Sequence, residues 1–320
     1  MSFLTIPQNY APGFVPQRYL YINDSAAGQL TAQLTDTRTG EEIASLALHN
    51  LWMPEIDVSA FLRRIAAPVP FESATTGLHL PEQRTLALSM QIGTDQAADR
   101  IYLPATAATE EGEPLTALPN VRLIGAGETD EISFNCHSQA SATLSVTIGS
   151  GRADKTYSQT GTGVVLFHLN TATFSNASAF DLTVNIAGRT TELHYEVIQP
   201  SPAGRRVAWL NEKGGIDRYT FPLVEQRDYA VERNRYRLVE SGYVQSGVAC
   251  EERLFLGSAY EPAAVLEALA RIPAAPAAWI AAAEGWIPID IVTDTLRIGR
   301  QGVLQHLTLE IRARQKGVRL

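Results

Sequence analysis

Apolar and polar residues alternate with a period of two along most of this chain, the signature of half-buried strands rather than amphipathic helices. Leu86, Leu88, Met90 and Ile92 share one face, as do Leu144, Val146 and Ile148. The pattern returns at Phe180, Leu182, Val184 and Ile186, then at Leu193, Tyr195 and Val197, and again at Leu307, Leu309 and Ile311. Each run is short and turn residues separate it from the next, which predicts an all-β fold of antiparallel sandwiches or barrels rather than βαβ units. Strands are also expected at Tyr19 to Ile22, Leu30 to Leu34 and Ile43 to Leu48.

Two short helices interrupt the strands. Ser59 is placed to cap AFLRRIA, with Arg63 and Arg64 facing solvent or an acidic neighbouring subunit. Pro262 precedes AAVLEALARI, which Pro273 stops. Beyond it, AWIAAA and WIPIDIVTD read as a hairpin, with Pro288 at a sheet edge or bulge because proline cannot donate to a ladder.

Two polar stretches break the pattern, Thr106 to Asn120 and Gln199 to Gly204. They divide the chain into an N-terminal β-rich domain over 1–118, an immunoglobulin-like β-sandwich over 119–200 and a C-terminal β domain with one short helix over 201–320. At 320 residues the length agrees with more than one hydrophobic core.

Charge adds an asymmetry that the net value of −8 conceals. Residues 1–133 hold seven Lys and Arg against sixteen Asp and Glu, a balance of −9, whereas residues 205–320 hold sixteen against fourteen, a balance of +2. An acidic first third repels phosphates, so direct nucleic-acid binding is not expected. The stretch from Arg297 to Leu320 is locally basic, with Arg312, Arg314, Lys316 and Arg319, and reads either as a solvated terminus or as a docking tail. No stretch approaches the roughly 20 apolar residues of a membrane helix. Nothing at the N-terminus has the form of a secretory signal, so synthesis in the cytoplasm is expected. Cys136 and Cys250 lie far apart and are expected as buried free thiols.

Candidate chemistry is sparse. None of the six histidines falls in a metal-ligand spacing, and neither a nucleophile elbow nor a phosphate loop is present, so no catalytic residue, metal or cofactor is assigned. Carboxylates that strands could bring together, as glycosidases require, include Asp57, Asp217, Glu240, Glu251, Glu252 and Asp290. Tyr219, Tyr229, Tyr236 and Tyr243, with Trp279 and Trp286, are the rings on which a sugar face would stack, although rings on strands commonly belong to a core.

The segment WLNEKGGIDRYTF, Trp209 to Phe221, joins two strand-like runs through a glycine turn at Gly214 and Gly215. It resembles a segment of virion proteins from phages and prophages of the Bacteroidetes, and so do the hairpin ending in WIPIDI, the final strand LTLEIRAR and the N-terminal IDVSAFLRR. The resemblance covers about half the chain and leaves the middle sandwich unmatched. It departs at the apolar insert Ile272 to Gly285, a local hairpin or an inter-subunit contact.

The resemblance implies a non-enzymatic subunit of a phage tail or tail-like particle, at the distal tail, hub or baseplate, located in the virion. It implies partners among other tail proteins and copies of the same chain in a ring, with no membrane. Contact candidates are Trp209, Tyr219, Phe221, Trp286 and Arg312, each of which reads more readily as an intramolecular packing residue, because aromatic rings on strands are usually core. The alternatives are a carbohydrate-binding or adhesive sandwich and, third, a hydrolase.

Overall fold

The computed structural model describes residues 2–23, 28–238, 242–283, 285–301 and 304–314. The fold is all-β: β-sandwich-like modules built from several sheets, with two short α-helices among the described residues. Most alternating positions face inward as their period requires: Leu86, Leu88, Met90 and Ile92 are all buried, as are Phe180, Leu182, Val184 and Ile186, and Leu307, Leu309 and Ile311, whereas Leu144 and Val146 are buried but Ile148, at the strand end, is exposed.

Near the N-terminus, a six-stranded sheet runs Ala11–Pro12, Arg100–Leu103, Leu86–Ile92, Gln29–Asp36 and Glu42–His49, with Asp95–Gln96 beside Leu86–Ile92. A three-stranded sheet of Ser2–Thr5, Arg18–Ile22 and Glu55–Asp57 completes the module, and Tyr19, Tyr21, Leu34, Leu62 and Tyr102 fill its core. The middle sandwich packs a five-stranded sheet (Val121–Gly125, Arg189–Ile198, Ala179–Ile186, Gln139–Ile148, Gly151–Thr160) on a three-stranded one (Thr129–Cys136, Gly163–Asn170, Gly77–His79). The C-terminal sheet has eight strands, in the order Ile216–Phe221, Arg205–Leu210, Ala278–Ala282, Gly285–Ile291, Leu304–Ala313, Gly242–Gly257 and Leu223–Leu238, with Ile298–Gln301 paired to Leu304–Ala313. Helix Ala263–Leu269 lays Leu266 and Leu269 on its core.

Two exchanges join these cores. Gly77–His79 pairs with Gly163–Asn170 of the middle sandwich. The Arg205–Leu210 strand is buried on both faces: Val207 and Trp209 enter the C-terminal core, while Ala208 and Leu210 enter the N-terminal one, where Ile216 and Trp279 join them.

Several local expectations are corrected. Ser59 does not cap helix Ser59–Ile65, which begins at Ser59 itself with Val58 before it, and its amide donates to Asp57 Oδ1 at 2.9 Å. Arg63 and Arg64 are exposed as expected, and each guanidinium also donates to a carbonyl of the chain, that of Phe14 and that of Ile43. Pro288 lies in a strand with partners on both sides, and it is accommodated because pairing with the last strand begins one residue later, at Ile289 opposite Ala313. The apolar insert forms a local hairpin, as one of its two readings expected, and buries Ile272, Ala278, Trp279 and Ile280 while Ala281 and Ala282 stay exposed. Cys136 is buried, but Cys250 is exposed.

Candidate assembly surface

The Trp209 hairpin is a structural joint. Its strands pair from Arg205 opposite Phe221 to Leu210 opposite Ile216. Asn211 organises the turn between them: its Oδ1 accepts from the amides of Lys213 (2.9 Å) and Gly215 (3.3 Å), and its Nδ2 donates to the Leu115 carbonyl and to Asp217, both at 2.9 Å. Gly214 has φ +87°, open to glycine at little cost. At Gly215 a Cβ would stand 1.8 Å from the Leu115 oxygen, so only hydrogen fits.

The five contact candidates are placed as follows. Trp209 is 1% exposed and Phe221 0%, so both face the protein's own core and are not contact residues. Tyr219 stands edge-on to Phe221; its hydroxyl donates to Glu261 at 2.8 Å and accepts from the Ala259 amide at 3.1 Å. Burial pushes the Glu261 carboxyl up from its usual range, against that hydrogen bond. Trp286 donates to Glu72 at 2.8 Å, with the Arg218 guanidinium over its ring. Arg312 bridges Asp290 at 2.7 Å and Glu251 at 3.5 Å. All five therefore serve contacts inside the chain.

Beneath the hairpin runs a buried ionic seam. Glu131, on a middle-sandwich strand, accepts from Arg84 of the N-terminal module at 2.5 Å and from Arg218 of the C-terminal hairpin at 2.8 Å. It also accepts from the Phe71 amide at 2.7 Å, while Arg218 donates to the Phe71 carbonyl at 2.5 Å. One carboxylate thus ties three parts of the fold, and Arg84, Glu131 and Arg218 are each at most 3% exposed. A second group places Asp130 between Arg122 and Arg206, each at 3.3 Å, with Arg206 also on Glu128 at 2.9 Å. Buried ion pairs add little net stability over apolar packing, but removing one partner is costly because the remaining charge stays buried. The seam therefore fixes how the modules meet.

The acids of the sequence list are engaged too. Asp217 accepts from Thr116, from the Ala117 amide and from Asn211, and burial pushes its carboxyl up despite Arg122 and those hydrogen bonds. Glu251 is held low by the hydrogen bond from Arg253 and by Arg312 beside it. Asp57 accepts from the Ser59 amide, Glu252 is buried beside Arg227 and Tyr229, and Asp290 clasps Arg312. Glu240 lies outside the described residues, as do Lys316 and Arg319. Among the described residues no group of three or more His, Cys, Asp or Glu is placed to hold a metal ion, and no helix is long and apolar enough to cross a membrane.

From this base projects a long antiparallel hairpin, Leu223–Leu238 with Gly242–Gly257. At its root Leu254 and Leu256 are buried, and the last strand pairs with it only over Arg253 to Gly257. Beyond Tyr229 opposite Glu252, the two legs pair only with each other as far as Leu238 opposite Gly242, about 30 Å of strand at about 3.3 Å per residue. From 229 to 250 no described residue is buried. Tyr229, Val231, Tyr236, Tyr243 and Val248 stand exposed, with Tyr243 at 75%. Arg233, Arg235 and Arg237 occupy alternate positions and so share a face. A groove of about 780 Å³ at the root is lined by both legs together with Asp290 and Arg312. Arg312, a contact candidate, braces the root of the arm through Glu251.

An isolated two-stranded ribbon is marginal in water, and its unpaired edges are templates for another strand. The sequence flagged Tyr229, Tyr236 and Tyr243 only as rings. The available signal was the run EQRDYAVERNRYRL, fourteen residues without Gly or Pro and without an apolar face. A second exposed apolar patch is Leu51, Trp52 and Met53, each about half exposed.

An all-β body of interlocked modules with one projecting, solvent-bare hairpin is the class that fold and surface define. Compared with known proteins, the chain matches no family model and no curated protein.

Proposed function

We propose that the protein is a non-enzymatic structural subunit of a phage tail or tail-like particle, at the distal tail, hub or baseplate, and that it acts by assembly with neighbouring subunits. The observation that carries this reading is the projecting hairpin, which exposes tyrosines, valines and free edges along its outer length. Such a ribbon gains most of its packing only when another chain covers it. The locked base supports the same reading, because a rigid body transmits the position of its arm to the next subunit. Opposite charge at the two ends favours head-to-tail contact between copies.

The test is biochemical. Particles purified from a producing culture through a density gradient are expected to carry this chain in fixed stoichiometry with tail proteins, by quantitative mass spectrometry. Recovery of the chain only in the particle-free fraction would overturn the assignment.

A further inference from the structure

The arm needs an acceptor, and the edges of the body differ in what they offer. The Gly151–Thr160 edge carries Arg152, Asp154 and Lys155, charges of the kind that blunt an edge. At the Glu42–His49 edge the Arg64 guanidinium already occupies the Ile43 carbonyl.

The Val121–Gly125 edge is occupied at its Gly125 end, where the amide donates to Glu128 and the carbonyl accepts from Thr171 and from the Glu128 amide, but at Val121 and Leu123 it carries apolar side chains in place of blunting charges. It pairs only with Arg189–Ile198, and it exposes Val121 at 60% and Leu123 at 47%. These residues line a mainly apolar cleft of about 520 Å³ with Leu118, Tyr260 and Val265. Beside it the paired strand turns Leu193 and Tyr195 into the core and leaves Glu192 and Glu196 exposed, with Glu196 opposite Leu123 in register. An apolar edge flanked by two acids complements a ribbon that carries exposed Tyr and Val together with a row of three arginines.

We propose that the arm of one copy docks along the Val121–Gly125 edge of a second copy, with Arg233, Arg235 and Arg237 meeting Glu192 and Glu196 and the arm's apolar residues covering Val121 and Leu123. This rests on the reading of the protein as an assembly subunit and names the occupant of its arm. The contact is head-to-tail, since arm and acceptor are different surfaces, and repeated copies therefore close a ring or extend a filament.

Photo-crosslinking of the full-length chain tests it, with p-benzoylphenylalanine in place of Tyr243 and mass spectrometry of the product. A crosslinked dimer is expected, joining the arm to peptides that contain residues 119–125 or 189–198. The surface substitutions Val121→Lys with Leu123→Lys should cut the dimer yield about tenfold, a loss of one decade in affinity. Reversal of Arg233, Arg235 and Arg237 to Glu should abolish it, and mixing that variant with Glu192→Arg/Glu196→Arg should restore it. A chain that yields no dimer, crosslinks that map elsewhere, or arm arginines that retain nucleic acid while acceptor variants change nothing would each overturn the proposal. Crosslinks from the arm into a different particle protein would overturn the second-copy acceptor and leave the assembly reading standing. An arm that touches no chain in purified particles would remove both.

Discussion

Replacing Glu131 by alanine should destabilise the protein by about 3 to 5 kcal/mol, the scale for stripping one partner from a buried ion pair. Two guanidiniums, Arg84 and Arg218, lose their shared carboxylate while remaining almost wholly buried. The Phe71 amide loses its acceptor in the same step. Because Glu131 joins three parts of the fold, the damage should reach beyond the middle sandwich. Denaturant titration should show a lower midpoint, and limited proteolysis should open new cuts near Phe71, where the chain is held by Glu131 and Arg218 instead of by a strand ladder. A Glu131→Ala variant with wild-type midpoint and protease pattern would show that the seam does not hold the modules together.

The second large effect is expected at Gly215. A methyl group there would lie 1.8 Å from the Leu115 carbonyl oxygen, and backbone rather than a flexible side chain stands in its way. Gly215→Ala must displace the turn from the 104–115 segment, breaking the Asn211 bond to Leu115 and disturbing the anchored Asp217. The cost should be at least about 3 kcal/mol, the upper range for overpacking. Gly214→Ala meets a nearest neighbour at 3.1 Å, the Ala105 methyl, together with an unfavourable φ, so it should cost less. Thermal unfolding of the two variants side by side measures the order, and a Gly215→Ala variant as stable as Gly214→Ala would contradict the tight seating of this turn.

The strands were legible because one buried face leaves a period of two, and Leu86 to Ile92 or Phe180 to Ile186 could hardly be read otherwise. Periodicity does not say which neighbour a face meets. Trp209 and Phe221 show this: they flank a glycine turn on strands that join two cores, and the segment that singled them out did not reveal that both rings point inward. Ser59 does not cap because the helix begins at Ser59 itself, with Val58 before it, and the Asp57 carboxylate two residues upstream accepts from the Ser59 amide. The ionic seam left almost no local trace, since Arg84, Glu131 and Arg218 lie far apart in the chain. Its one hint is the Thr129–Cys136 strand, which carries Asp130, Glu131 and Asn135 where apolar residues would be expected and buries all three. The arm was legible only in hindsight of its packing. A strand with charges on both faces and no glycine looks like an ordinary exposed strand until its partners along the sheet are known to end at Arg253.

In the proposed assembly the base stays rigid and the outer length of the arm meets other chains. The most direct test of the arm's proposed role is a chain in which residues 231–250 are replaced by a two-residue Asn-Gly turn between the paired Ala230 and Glu251, compared with the full chain by sedimentation velocity over a concentration series and by thermal unfolding. The base should unfold at nearly the same temperature as the full chain, because none of the described residues excised is buried, and the concentration-dependent association of the full chain should disappear. Collapse of the base on loss of the arm, or association that persists without it, would contradict the account.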